Sequence, residues 1–82
     1  MTNSEIVKIV NNFLVEEIEI DESLIKDDAK LKEDLGIDSL DFVDVVVIVE
    51  RNFGFKIKAE EMAQISTLAD FYNYINEKVN NQ

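Results

Sequence analysis

At 82 residues with no cysteine and no histidine, the chain is close to the smallest that fold without staples, and it can hold neither a disulfide framework nor a thiolate or imidazole metal centre. Eighteen acids against eight bases leave a net charge of −10, which opposes nucleic acid and anionic membrane surfaces. The same charge favours a basic partner surface, although acidity also serves solubility alone.

Thr2 and Glu5 have capping-box spacing, which predicts a helix starting near Asn3. Ile6, Val10, Phe13 and Leu14 recur at helical steps while Lys8, Asn11, Asn12 and Glu16 fall elsewhere, so this helix is amphipathic and ends near Glu17. From Ile18 to Ile37 the periodicity dissolves. Ile20, Leu24, Ile25, Leu31 and Leu35 predict a long loop pinned to a core at intervals, with one helical turn around Glu22 to Ile25. A connection this long in a small domain is unusual and tends to be functional.

Asp38 is a good N-cap for a second helix running to about Phe53 and stopping at Gly54, and Asp41 adds negative charge to its first turn. Val45-Val46-Val47-Ile48-Val49 alone reads as a buried strand, but the segment is too long for one and would have nothing to pair with. Phe42, Val45, Val46, Val49 and Phe53 form its expected core face. Phe55 to Lys58 is predicted extended and Ala59 to Ala63 a short helix. Thr67 and Asp70 cap a last helix with the stripe Leu68, Phe71, Tyr72, Ile75 and Val79, after which Asn80 to Gln82 fray. The expected fold is all-α, a four-helix bundle with a long first loop and a short third helix, in one domain over 1–82. No apolar run approaches the roughly 20 residues of a membrane span, and Met1 to Glu5 lacks the basic start of a signal peptide, so a soluble cytoplasmic protein is expected.

Leu40, Val43, Asp44, Val47 and Arg51 share a second face of the second helix, edged by Asp41 and Glu50. It reads either as a docking face, with carboxylates steering a basic surface and the apolar residues supplying burial, or as a widened core stripe. Ser39 lies in the first turn, where backbone N–H groups and the helix dipole favour an anion such as a phosphate on its hydroxyl by about 0.3–1 kcal/mol. Asp38 and Asp41 partly offset that by repulsion. With no histidine in the chain, Ser39 suits an attachment point better than a nucleophile, although an isolated Asp-Ser pair also reads as an ordinary helix start.

The run Asp34-Leu35-Gly36-Ile37-Asp38-Ser39-Leu40-Asp41, at its spacing from Ile65-Ser66-Thr67-Leu68 and Asp70-Phe71-Tyr72-Asn73-Tyr74-Ile75, resembles the free-standing (type II) acyl carrier proteins of the phosphopantetheine-binding carrier family over essentially the whole chain. The resemblance implies a 4'-phosphopantetheine arm moved from coenzyme A onto Ser39 by a phosphopantetheinyl transferase that brings its own base and metal. The arm's thiol then holds acyl groups as thioesters, so a chain without cysteine borrows its sulfur. It also implies a non-catalytic monomer that serves acyl-transferring and chain-elongating enzymes of fatty acid or specialised acyl and polyketide biosynthesis. Asp38, Leu40, Asp41, Val43, Asp44, Val47 and Glu50 would then meet basic docking surfaces, and Phe42, Val46, Val49, Met62 and Ile65 are the acyl-cavity candidates. Gly36 would keep the loop tight enough for a partner's active site to approach.

Three departures from the family pattern stand out. Lys58 follows Ile57 where the family commonly has proline, which is expected to loosen entry to the third helix. Arg51 follows Glu50 on a helix that is typically acidic there. Phe42 and Met62 are bulky, which implies little cavity and a short, unusual or exposed cargo, and tilts the reading toward a dedicated carrier of a specialised pathway. A peptidyl or aryl carrier would share fold and serine. A calcium-loop reading fails on spacing, because Gly36 and Gly54 would put Leu31 and Val49 at the first ligand position. A hydrolase reading fails for want of a base and of a Gly-x-Ser-x-Gly elbow.

Overall fold

Three long helices begin at reciprocal side-chain caps. For α1 (Asn3–Glu16), the Thr2 hydroxyl accepts the Glu5 N–H at 3.2 Å and Glu5 Oε1 accepts the Thr2 N–H at 2.9 Å. Asp38 with Asp41 closes α2 (Ser39–Phe53), and Thr67 with Asp70 closes α4 (Leu68–Asn80), in the same way. α2 ends at Gly54, whose φ of 81° is the left-handed conformation that terminates helices. Caps at both ends and burial of Val45, Ile48 and Val49 outweigh the valines' β preference, at most about 0.7 kcal/mol per residue. Between α2 and α4 lies the six-residue α3 (Ala59–Gln64), and one 3-10 turn (Glu22–Leu24) interrupts the first loop. This computed structural model describes residues 1–80; of the tail expected to fray, Asn80 closes α4, while Asn81 and Gln82 lie outside the described residues.

The expected stripes of α1 and α4 meet each other in the core. Ile6, Val10, Phe13 and Leu14 are buried with Leu68, Phe71, Tyr72 and Ile75, while Val79 is only half-buried. α2 is turned slightly from expectation: Ile48 is buried, and Phe42, Val46 and Phe53 lie at the core's edge. Phe55 and Ile57 are buried and Lys56 and Lys58 exposed, the period-two alternation of the extended link.

The long loop is pinned less evenly than its apolar spacing suggests. Leu31, Leu35 and Ile37 are buried, Ile20 and Ile25 are half-buried, and Leu24 stays 45% exposed. What holds the loop is backbone hydrogen bonding to the start of α4. The Leu31 N–H donates to the Ser66 carbonyl at 3.0 Å and the Leu68 N–H to the Ala29 carbonyl at 2.9 Å, around an antiparallel bridge between Lys30 and Thr67. Among the described residues no helix is long and apolar enough to cross a membrane.

Candidate functional site

Ser39 is the first residue of α2, and the loop before it is anchored twice. Leu35 and Ile37 are buried, the Ile37 N–H donates to the Leu31 carbonyl at 2.8 Å, and Asp34 Oδ2 accepts the Lys30 N–H at 2.8 Å. Gly36 between them has a φ of 71°, a conformation that costs an L residue about 1–2 kcal/mol. The chain therefore leaves the core at a fixed place and enters α2 at once. Asp38 Oδ1 accepts the N–H groups of Leu40 at 2.9 Å and Asp41 at 3.1 Å, and Asp41 Oδ2 accepts the Asp38 N–H at 3.3 Å. The two acids flanking Ser39 are thus held by backbone donors, which offsets part of their negative charge. Ser39 is exposed within this hydrogen-bonded frame.

Beside Ser39 opens a cleft of about 450 Å³ between the start of α2 and the end of α3. Leu31, Phe42, Ala63 and Ile65 supply its apolar lining, and Lys30, Lys32, Asp38 and Gln64 add polar groups. Of the acyl-cavity candidates, Phe42 and Ile65 line this cleft, Val49 and Met62 are enclosed in the core, and Val46 is half-buried. A larger groove of about 740 Å³ follows α1 from Lys8 to Glu16 and the 3-10 turn, and does not include Ser39. Lys30 and Lys32 escaped the sequence reading, since only the loop's backbone pairing with α4 brings them to the cleft; Asp34, four residues after Lys30 and able to fold back on it, was the available signal.

The second face of α2 is turned to solvent. Leu40, Val43 and Val47 are 80%, 64% and 55% exposed, with Asp44 and Glu50 exposed beside them, so they do not widen the core stripe. Asp38 and Asp41 adjoin this face through their caps. Arg51 forms a 2.5 Å ion pair with Glu17 at the end of α1.

The family described as "Phosphopantetheine attachment site" matches residues 8–75 of this chain. The chain is 40% identical over 78 residues to an acyl carrier protein of Thermotoga maritima, covering 95% of this chain and 96% of that one. Against an acyl carrier protein of Chloroherpeton thalassium it is 40% identical over 78 residues, covering 95% and 98%. A Petrotoga mobilis acyl carrier protein is 35% identical over 80 residues, covering 98% and 94%.

Proposed function

The chain belongs to the phosphopantetheine-binding family of acyl carrier proteins, and we propose that Ser39 is the residue through which it carries its acyl groups. The observation that carries this reading is one exposed hydroxyl at a doubly capped helix start, inside an Asp-Ser-Leu motif within the matched residues. The residues present fit a covalent arm: the hydroxyl is accessible, and the cleft beside it is within the roughly 300–1,000 Å³ of small-molecule sites. In loading, the Ser39 oxygen forms a bond to the phosphorus that bears pantetheine, and the bond from that phosphorus to the nucleotide breaks. The hydroxyl proton passes to the base of the transferase, and adenosine 3',5'-bisphosphate leaves. Once attached, the arm supplies the thiol that holds the acyl group as a thioester. This chain's own residues fix the attachment oxygen and present surfaces, and none does acid–base work.

The family brings a phosphopantetheinyl transferase and acyl-processing enzymes as partners. We place their docking on Asp38, Leu40, Asp41, Val43, Asp44, Val47 and Glu50, an apolar patch among acids that complements a basic, partly apolar surface. The net charge of −10 opposes self-association and favours a monomer. The cargo enters the cleft at Phe42 and Ile65, and short acyl groups fit best while Met62 and Val49 fill the space within. Intact-protein mass spectrometry after incubation with coenzyme A and a transferase tests the attachment. Wild type should gain one arm and Ser39→Ala none; an arm on the variant, or none on the wild type with active transferases, would refute it. Loading with acyl and aminoacyl donors then assigns the cargo class.

A further inference from the structure

α3 is poorly equipped to hold itself. It has six residues, and Lys58 stands at its N-cap with no side-chain hydrogen bond, a cation at the positive end of the helix. Met62 anchors it in the core beside α2, and a side-chain cluster ties its outer face to α4. The Tyr74 hydroxyl donates to Glu61 Oε2 at 2.5 Å, and Lys78 Nζ lies 4.0 Å from Glu61 Oε1 and 5.6 Å from the Tyr74 ring centre. Phe55 packs on Tyr74 with ring centres 6.2 Å apart, and Phe53 on Phe55 at 6.5 Å, so the tyrosine is braced from the end of α2. Burial first, and then the Glu61 carboxylate, push the Tyr74 hydroxyl above its ordinary pKa, so it stays a donor well into the alkaline range. Further along α3, Ala63 and Gln64, with Ile65 just beyond, form the wall of the cleft opposite Ser39 and Phe42. A short helix therefore carries the clasp at Glu61 and the cleft wall one turn later.

We propose that the Glu61–Tyr74–Lys78 clasp sets how far the cleft beside Ser39 can open, and so the longest acyl group the protein shelters. Its physical basis is that a chain wedged between α2 and α3 must displace α3, which stretches a short charge-assisted hydrogen bond to a neighbouring helix. The proposal rests on the reading that the cleft receives the cargo. Glu61, Tyr74 and Lys78 act as positioning residues; none touches the attachment oxygen.

The test uses holo-protein as wild type, Tyr74→Phe and Glu61→Gln, with two readouts. In the unloaded arm state, the Met62 and Ile65 amides, which close on the Lys58 and Met62 carbonyls, should exchange about five- to tenfold faster in Tyr74→Phe while α1 amides are unchanged. The three proteins are then loaded with butanoyl to dodecanoyl groups and thioester hydrolysis is followed. Both variants should slow hydrolysis of longer chains about threefold or more relative to wild type, with butanoyl unaffected. Unchanged exchange in α3, or equal acceleration throughout the molecule, would overturn the proposal. So would length-dependent protection identical in all three proteins. If no protein protects any chain length, the cleft reading itself fails, and that result is distinct because it appears in wild type.

Discussion

Met62→Ala separates packing from capacity better than any other single change. Met62 is fully enclosed, although its neighbours Ala63, Gln64 and Ile65 line the cleft. Truncating a buried methionine costs about 2–5 kcal/mol, the transfer free energy plus the void left behind. The lower end, about 2–3 kcal/mol, is expected here, because a six-residue helix without a side-chain cap can settle into part of the void. A chain of this length has roughly 4–12 kcal/mol in total, so the variant should fold with a much reduced margin. With a urea slope of about 1 kcal/mol/M, the midpoint should fall by about 2–3 M with the slope unchanged. Met62→Leu keeps the volume and should lose less than about 1.5 kcal/mol. Loading an acyl group long enough to reach the void should restore part of the loss in Met62→Ala and little in wild type. A midpoint shift below about 0.5 M, or equal restoration in both, would refute the placing of Met62 as the filler behind the cleft.

Gly36→Ala should destabilise by about 1 kcal/mol in urea: the positive φ costs about 1–2 kcal/mol, partly offset by a stiffer unfolded chain, and a Cβ there meets no neighbouring atom within 4 Å. Both tyrosine hydroxyls are pushed above the ordinary tyrosine pKa of about 10, Tyr72 by burial and then the charge of Asp27, Tyr74 by burial and then Glu61. Between the unfolded and folded values the unfolded state holds fewer protons, so stability is intact below pH 10 and falls as pH rises beyond it. Tyrosinate absorbance should therefore appear together with loss of helical circular dichroism, and simple titration near pH 10 with helix retained would contradict the packing. Leu40→Ala and Val47→Ala should leave stability within about 0.5 kcal/mol and weaken transferase affinity several-fold by calorimetry; the reverse pattern would place them in the core. Asp38→Asn should keep the cap while Asp38→Ala loses about 1 kcal/mol of it in thermal unfolding, and both should slow loading at low salt if charge steers the partner.

Helix ends and the α1 and α4 stripes were legible because they are local. Capping pairs three residues apart and apolar steps of three and four need no tertiary information, and Thr2, Asp38 and Thr67 sit where that logic puts them. Ser39 was not distinguished that way: locally it reads as an ordinary helix start, and only the resemblance of the run from Asp34 to Asp41 to a carrier family singled it out. The rotation of α2 onto Ile48 was not legible, because a run of five β-branched residues offers an apolar side chain in every direction and only packing chooses among them. Leu24 misled because spacing cannot tell an anchored loop residue from one on an exposed turn. The cleft and the clasp lay furthest from view. Lys30 reaches the cleft through a bridge to Thr67, and Glu61 meets Tyr74 across thirteen positions and two helices.

Arg51 illustrates why a substitution on the outer face of α2 cannot be read from its charge alone. As a lone cation after Glu50 it would cut the negative field a basic partner meets. Its guanidinium instead lies 2.5 Å from a Glu17 oxygen contributed by the end of α1. Both partners are largely exposed, so the pair adds little stability, about 0–1 kcal/mol at most. Its effect is on the field: opposite charges 2.5 Å apart act from further away as a weak dipole and not as a cation, so within the roughly 8–10 Å that salt leaves unscreened the unpaired Asp38, Asp41, Asp44 and Glu50 set the field on this face. The core side of α2 answers to stability and, on the docking proposal, the outer side to recognition, with Asp38 and Asp41 serving both because the carboxylates that cap the helix also flank Ser39.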